Sequence, residues 1–452
     1  MTSNNEERVQ SGGSNMRQDN GLPKANEQPP NVWKQKVEEK LSEMPSPLSP
    51  DAAVAFFDAM SEVYRVSDEY NLELPFTNFV FFGPQSAGKS TLVERILGFP
   101  ITIIRDVIGT RRPLIITTRR RDAERYVVRY ATGRNAGGAF VQSSEEVLPD
   151  RMTIRDRIID LNDEVKGTDS GVSDLPIYLE VDGPQQLTLR FVDLMGYQEH
   201  GAQADMIAQV LRNELQNERT IVVGVSAPDM FVQSRLLSAI KTCLYNGKEG
   251  LQKLRSRMIF CVNKADKAFV GPLRTKENTL RFYGQYCDDA NFGLLPLLVG
   301  DSCELDENGE PKKLGEPVKD FAWLEQDYAG APAREEASIR KWLPIPREAG
   351  LPIEEMTKKA LGFHCLLGMI NAYVMKRDLS QLGRIQDKLE QHIQHLRETL
   401  RMNEEESSHL INFEDDLPPF LRKMMQLTRE IAYQIPSTAV QAWLANEGVR
   451  TE

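Results

Sequence analysis

Phe82-Gly83-Pro84-Gln85-Ser86-Ala87-Gly88-Lys89-Ser90-Thr91 is the stretch whose reading decides this chain. Gly83 and Gly88 bracket four residues and are followed by Lys89 and Ser90, the spacing G-x-x-x-x-G-K-[ST] of a phosphate loop. A turn of backbone N–H groups that wraps two phosphates excludes bulky residues at its tightest points. Lys89 then supplies a point charge to the β- and γ-phosphates, and the Ser90 hydroxyl is placed for Mg²⁺. The flanks agree with this reading. Phe79-Val80-Phe81-Phe82 reads as a buried strand and Thr91–Leu97 has helical spacing, which puts the phosphates at a helix N-terminus. The chain binds a nucleotide on this reading.

The rest of the composition bounds what carries the loop. A chain of 452 residues implies two or three folding units. With 40% hydrophobic and 27% charged residues it has an ordinary globular composition, and its net charge of −11 argues against general nucleic-acid binding. No apolar run reaches the roughly 18–20 residues that span a bilayer, and the first residues lack a signal-peptide layout. Five cysteines, at 243, 261, 287, 303 and 365, form no C-x-x-C pair and read as buried thiols. The expected location is the cytosol, or the cytosolic face of an organelle or vesicle.

Residues 1–31 read as a disordered tail, poor in aliphatic side chains. Helical spacing starts near Trp33 and continues through Ala53, Phe56, Phe57 and Met60, with Ser49-Pro50-Asp51 as an N-cap. Past the loop, strand patterns (Leu114–Thr118, Tyr126–Tyr130, Ile177–Val181, Leu187–Val192, Thr220–Val225, Met258–Val262, Leu294–Val299) alternate with helices at Gln203–Leu215 and Phe231–Tyr245. This predicts an α/β fold, a mostly parallel central sheet flanked by helices. Gly300–Pro317 reads as a polar loop. Residues 353–375, 378–403 and 405–431 read as long helices, with a seam through Leu379, Leu382, Ile385, Leu389, His392, Ile393 and Leu396 that a neighbouring helix must cover. His392 and His395 share a face, but with no third ligand they read as helix surface. Arg119-Arg120-Arg121 reads first as a solvated strand end.

Three further motifs follow the loop in order. Thr110-Arg111-Arg112-Pro113-Leu114 lies between a helix and a strand, where a mobile Thr can close over the γ-phosphate and Mg²⁺. Asp193-Leu194-Met195-Gly196 ends a strand, where the carboxylate reaches the metal through water and the glycine lets the chain approach the γ-phosphate. Asn263-Lys264-Ala265-Asp266 follows Met258–Val262. Asp266 can accept from both donors of guanine while the Lys264 stem stacks on the base. A site that hydrogen-bonds its substrate rejects an analogue lacking those groups by roughly 10⁴–10⁵. Guanine is therefore favoured over adenine. No His-Asp or Cys-His constellation is present, and phosphoryl transfer needs none.

With these motifs in order, residues 50–405 resemble the dynamin superfamily of large GTPases: the loop reads G-P-Q-S-A-G-K-S, the switch T-R-R-P-L, and D-L-M-G and N-K-A-D follow. The resemblance implies a G domain over 73–345, a helical bundle-signalling segment over 32–72, and a helical bundle with the start of a stalk over 346–452. It implies GTP as substrate, Mg²⁺, and a monovalent cation held with the help of Ser86. Its catalytic set is Gln85 (orienting the attacking water), Ser86, Lys89 and Thr110. Ser90, Thr110 and Asp193 would hold the metal. The nucleotide would touch Gly83, Ser86, Ala87, Gly88, Lys89, Ser90, Thr91, Gly196, Asn263, Lys264 and Asp266. Pro84 and Met195 depart from the family, where Gly and Pro are usual, and neither removes a catalytic group. The sequence ends at Glu452, short of a full stalk and lipid-binding module, which reads as a fragment or a reduced member. The implied function is GTP hydrolysis with G-domain pairing and assembly, coupled to remodelling or fission of a membrane touched peripherally. The alternative is a GTP-binding switch or scaffold that hydrolyses slowly.

Overall fold

The computed structural model describes residues 30–44, 46, 50–69, 77–101, 109–167, 171–184, 186–197, 204–217, 220–228, 257–265, 275–287, 297–300 and 321–406. Its framework is one mixed sheet with β1 (Asn78–Phe82) near the middle. The strand is apolar at four of its five positions, and all four are buried. That continuous run suits a strand covered on both faces and paired on both edges. β7 (Leu189–Asp193) and β8 (Thr220–Ser226) flank it in parallel, and β9 (Met258–Val262) and β10 (Leu297–Leu298) continue beyond β8 in the same direction. The Phe79 and Phe191 rings stack at 5.1 Å across β1 and β7.

On the other side of β7 the direction reverses. β2 (Leu114–Arg120) is antiparallel to β7, and β6 (Ile177–Gly183) is parallel to β2. β3 (Arg125–Arg134) is antiparallel to β6, and the short strands β4 (Phe140–Gln142) and β5 (Glu146–Leu148) pair with β3. The sheet order is β10-β9-β8-β1-β7-β2-β6-β3-β4. This alternation of direction gathers the site. The C-terminal ends of β1, β7 and β9 share one edge with the N-terminal ends of β2 and β6, so the segments around 83–90, 109–113, 171–176, 193–197 and 263–265 meet there.

Helices cover the sheet. α3 (Lys89–Leu97) follows β1, α4 (Arg151–Asp163) leads into a 3₁₀ turn, and α5 (Ala204–Gln216) and α6 (Lys276–Cys287) follow later. α1 (Pro30–Glu43) and α2 (Pro50–Glu69) precede the sheet. α7 (Phe321–Trp342), α8 (Pro344–Glu348), α9 (Ile353–Lys359) and α10 (Phe363–Glu406) end the described chain. No helix among the described residues is long and apolar enough to cross a membrane.

Two helix expectations are corrected. The pattern read over 353–375 is broken, because Ala360–Gly362 turns against β10 and bridges it: Leu298 N donates to Ala360 O (2.9 Å) and Gly362 N to Leu298 O (2.6 Å). The gap expected between 375 and 378 is absent, since Phe363–Glu406 is one helix. Asp378 is buried in this helix, its Oδ1 accepting from Thr77 N (3.2 Å) just before β1. Ile385, Leu389 and Ile393 of the expected seam are buried. The helix expected at Phe231–Tyr245, the tail 1–29, the loop 301–320, residues 294–296 of the last strand and residues 407–452 lie outside the described residues.

Candidate functional site

The loop between β1 and α3 is shaped by two residues with positive φ, Ser86 (61°) and Gly88 (89°). Gly88 cannot be replaced by a larger residue without strain. A Cβ there would meet the Asn263 side-chain amide, which donates to Ala87 O (3.2 Å) and Gly88 O (3.4 Å). Asn263 Oδ1 in turn accepts from Lys264 N (2.9 Å), and Lys264 Nζ donates to Ser86 O (3.2 Å). The end of β9 is thus buttressed directly against the phosphate loop. Asp266 lies outside the described residues. Ala87 is fully buried, Thr91 half-buried in the first turn of α3, and Gln85 half-buried.

Lys89 is buried, and its Nζ donates to Gly83 O (3.2 Å) and Pro84 O (3.1 Å). Burial pulls its pKa down to about 8, against the opposing pull of Asp193. Asp193 is also fully buried, and desolvation pushes its carboxyl up against Lys89 and two hydroxyl donors. Those donors are Ser90 Oγ (2.8 Å) and Thr110 Oγ1 (3.2 Å), both on Asp193 Oδ2, with the two hydroxyls 3.2 Å apart. Asp193 Oδ1 is buried with no hydrogen-bond partner. Three hard oxygens from three segments, one carrying an orphaned acceptor, fit Mg²⁺ rather than a softer metal. Among the described residues no three of His, Cys, Asp and Glu gather as a metal site. His392 and His395 sit on α10, half-buried and exposed respectively.

Gly196 makes a close approach, though to the loop itself: a Cβ there would lie 2.6 Å from Gln85 Cα. Tyr197 N donates to Gly83 O (3.0 Å), bridging the strand-end segment to the loop. Met195 is buried in the core.

The two arginines after Thr110 have roles that the sequence did not reveal. Arg112 is buried, and its guanidinium donates to Leu175 O (2.8 Å), Ala131 O (2.9 Å) and Leu161 O (3.4 Å). Arg111 donates from its side chain to Gly171 O (2.7 Å) and from its backbone to Asn162 Oδ1 (2.7 Å). Asn162, at the end of α4, has no sequence signal that would single it out. Arg119-Arg120-Arg121 is not simply solvated. Arg119 pairs with Glu180 (2.8 Å), Arg120 with Asp58 (3.4 Å), and Arg121 donates to Ser61 Oγ (3.3 Å), the last two docking α2 on the strand end.

Residues 79–265 match the profile of the dynamin family. The chain is similar to the dynamin-1-like protein of Danio rerio, 27% identical over 189 residues, which are 39% of this chain and 27% of that protein. It is similar to dynamin-A of Dictyostelium discoideum, 28% identical over 182 residues (39% and 21%), and to dynamin-1 of Homo sapiens, 33% over 144 residues (31% and 15%). The matched stretch spans about a quarter of the length of the first of these relatives. With the sheet order, the phosphate loop and this match in agreement, residues 79–265 carry a GTPase domain of the dynamin family.

Proposed function

We propose that the chain hydrolyses GTP at the edge where Ser90, Thr110 and Asp193 converge beside Lys89. The observation that carries this is the convergence itself: three segments far apart in sequence place their oxygens within 3.2 Å at the N-terminus of α3. Mg²⁺ held by these residues would supply charge for the developing phosphate oxygens. The chain's own residues do the positioning. Backbone N–H groups from Ser86 to Thr91 face the phosphates, and Lys89 brings its ammonium to them from a buried site. Gln85, whose backbone lies close to Gly196, would orient the attacking water, with Thr110 helping to fix it. Asn263 and Lys264 both bond the phosphate loop, which supports reading guanine from the segment they begin, where Asp266 would accept from the base. Ser86 assists a monovalent cation.

The family likeness supports a further step, in which two G domains meet across their nucleotides and the assembly acts at a membrane surface in the cytoplasm. Hydrolysis measured against protein concentration, with ATP and Lys89→Ala as controls, tests both levels. The expected result is GTP-selective turnover per molecule that rises with concentration and is lost in Lys89→Ala. Slow turnover independent of concentration would replace the assembling enzyme with a switch or scaffold, and turnover surviving Lys89→Ala would end the assignment of the site.

A further inference from the structure

We infer that Asn162 is a positioning residue that clamps Thr110 in place from behind. The inference rests on the GTPase reading above for its kinetic consequences, but its geometry stands alone. One side-chain amide brackets the threonine. Asn162 Nδ2 donates to Gly109 O (2.6 Å) and Asn162 Oδ1 accepts from Arg111 N (2.7 Å), so both peptide groups flanking Thr110 are held by a single rigid plane. Only a group with a donor and an acceptor side by side can do this, which a carboxylate of the same shape cannot.

A small cleft of about 20 Å³, room for about one water, lies between α4 and the switch, lined by Gly109, Thr110, Ile158, Asn162 and Asp193 among others. Asn162 itself is anchored. α4 is N-capped by Asp150, whose side chain accepts from Thr153 N, and buries Ile154, Ile158 and Leu161 at spacings of four and three. Arg112 then bonds Leu161 O, next to Asn162, so the switch and the end of α4 are stapled at adjacent points. The clamp therefore decides whether the Thr110 hydroxyl reaches Ser90 and Asp193. Its loss should weaken the metal's hold and the chemical step while leaving the phosphate loop intact.

Removing a partner that orients a metal ligand typically costs about 10–100-fold in metal affinity or activity. The test compares the wild type with Asn162→Ala and the isosteric Asn162→Asp, with Lys89→Ala as the inactive control. Four quantities are read: kcat for GTP, the Mg²⁺ midpoint for binding a non-hydrolysable GTP analogue, GDP affinity without Mg²⁺, and amide exchange at 109–111 in the nucleotide-free protein. Asn162→Ala should lower kcat and raise the Mg²⁺ midpoint, each by about 10–100-fold. GDP affinity should stay unchanged and exchange at Arg111 should speed up. Asn162→Asp, which keeps the shape and the bond to Arg111 N but sets a carboxylate against Gly109 O, should impair the Mg²⁺ midpoint while sparing Arg111 exchange. Wild-type kcat and Mg²⁺ midpoint in Asn162→Ala would overturn the clamp. Should that variant fail to fold, wild-type behaviour of Asn162→Asp would overturn it instead. A wild type that hydrolyses no GTP sinks the GTPase reading alone, because the Mg²⁺ midpoint and the exchange at 109–111 still judge the clamp.

Discussion

Lys89 and Asp193 face each other in a site where burial opposes the charge of both. Burial dominates at each residue, lowering the lysine to about 8 and raising the aspartate. A phosphate anion beside Lys89 favours its charged form, so nucleotide binding raises that pKa and takes up a proton wherever the free lysine has lost one. The sign follows directly. Affinity is fully present below about pH 8 and falls as pH rises through it, approaching about tenfold per pH unit. GDP affinity measured from neutral pH to well above 8 should bend in this way for the wild type and stay flat for Lys89→Arg, whose guanidinium keeps its charge. A flat wild-type profile would contradict the assigned burial of Lys89. At this scale the sequence was most legible. The loop spacing names Lys89 and Ser90 because a backbone cradle and a metal hydroxyl demand those types at those places. It did not name Asn162, whose task depends wholly on where α4 ends.

The element that joins the site to the rest of the protein is α3, which begins at the loop and whose far end is held by a buried ion pair. Arg95 of α3 meets Glu335 of α7 at 2.7 Å, with both side chains nearly inaccessible. Glu335 Oε1 also accepts from Gly300 N (2.9 Å) and Phe363 N (3.1 Å), and Arg95 lies 4.2 Å over the Phe363 ring. One carboxylate thus ties the phosphate-loop helix, the end of β10 and the first residue of α10. Removing it leaves a buried guanidinium and two buried amides without their acceptor. Breaking one half of a buried pair costs about 3–5 kcal/mol, so Glu335→Ala should lower the stability read from urea unfolding by that amount. A loss below about 1 kcal/mol, the usual worth of an exposed pair, would show the hub to be open to water. Element reading from sequence had mixed success for physical reasons. The strands bordering β1 were legible because burial on both faces demands unbroken apolar runs. α4 was missed although Ile154, Ile158 and Leu161 keep helical spacing, since six charged residues in thirteen dilute the pattern. β4 and β5 are three residues each and mostly exposed or half-buried, too short for an alternation to emerge.

At the scale of the whole molecule, the two N-terminal helices pack mainly on different neighbours. α1 packs on α6 and α9, with Lys359 Nζ donating to Leu41 O (2.9 Å), whereas α2 packs on β2 and α10. Phe57 of α2 is 1% exposed within the same continuous core as β1 and α10. Truncating such a ring costs about 3–5 kcal/mol. Phe57→Ala should therefore shift the unfolding of sheet and helices together, as one transition of unchanged slope, when followed by both far-ultraviolet dichroism and tryptophan fluorescence. Two separated transitions would mean that the helices form an independent unit. α10, at 44 residues, runs about 66 Å at 1.5 Å per residue. Its first third is mostly buried against the domain and residues 390–401 are mainly exposed, with Leu400 presented to solvent. It is held to the domain by Glu335 at Phe363 N and by its own Asp378 at Thr77 N.

The sequence by itself determined the nucleotide class, the phosphate loop with its strand and helix, and the order of the motifs. These depend on residue types at fixed short spacings, which local chemistry dictates. The resemblance named Thr110, Ser90 and Asp193 as one set, while tertiary structure supplied their geometry and alone decided that Asn162 clamps Thr110 and that Arg111 and Arg112 staple the switch. It also decided that α1 and α2 part company. The arrival of Thr110, Arg111 and Arg112 at this edge depends on the reversal of strand direction between β7 and β2, and no local spacing encodes that reversal.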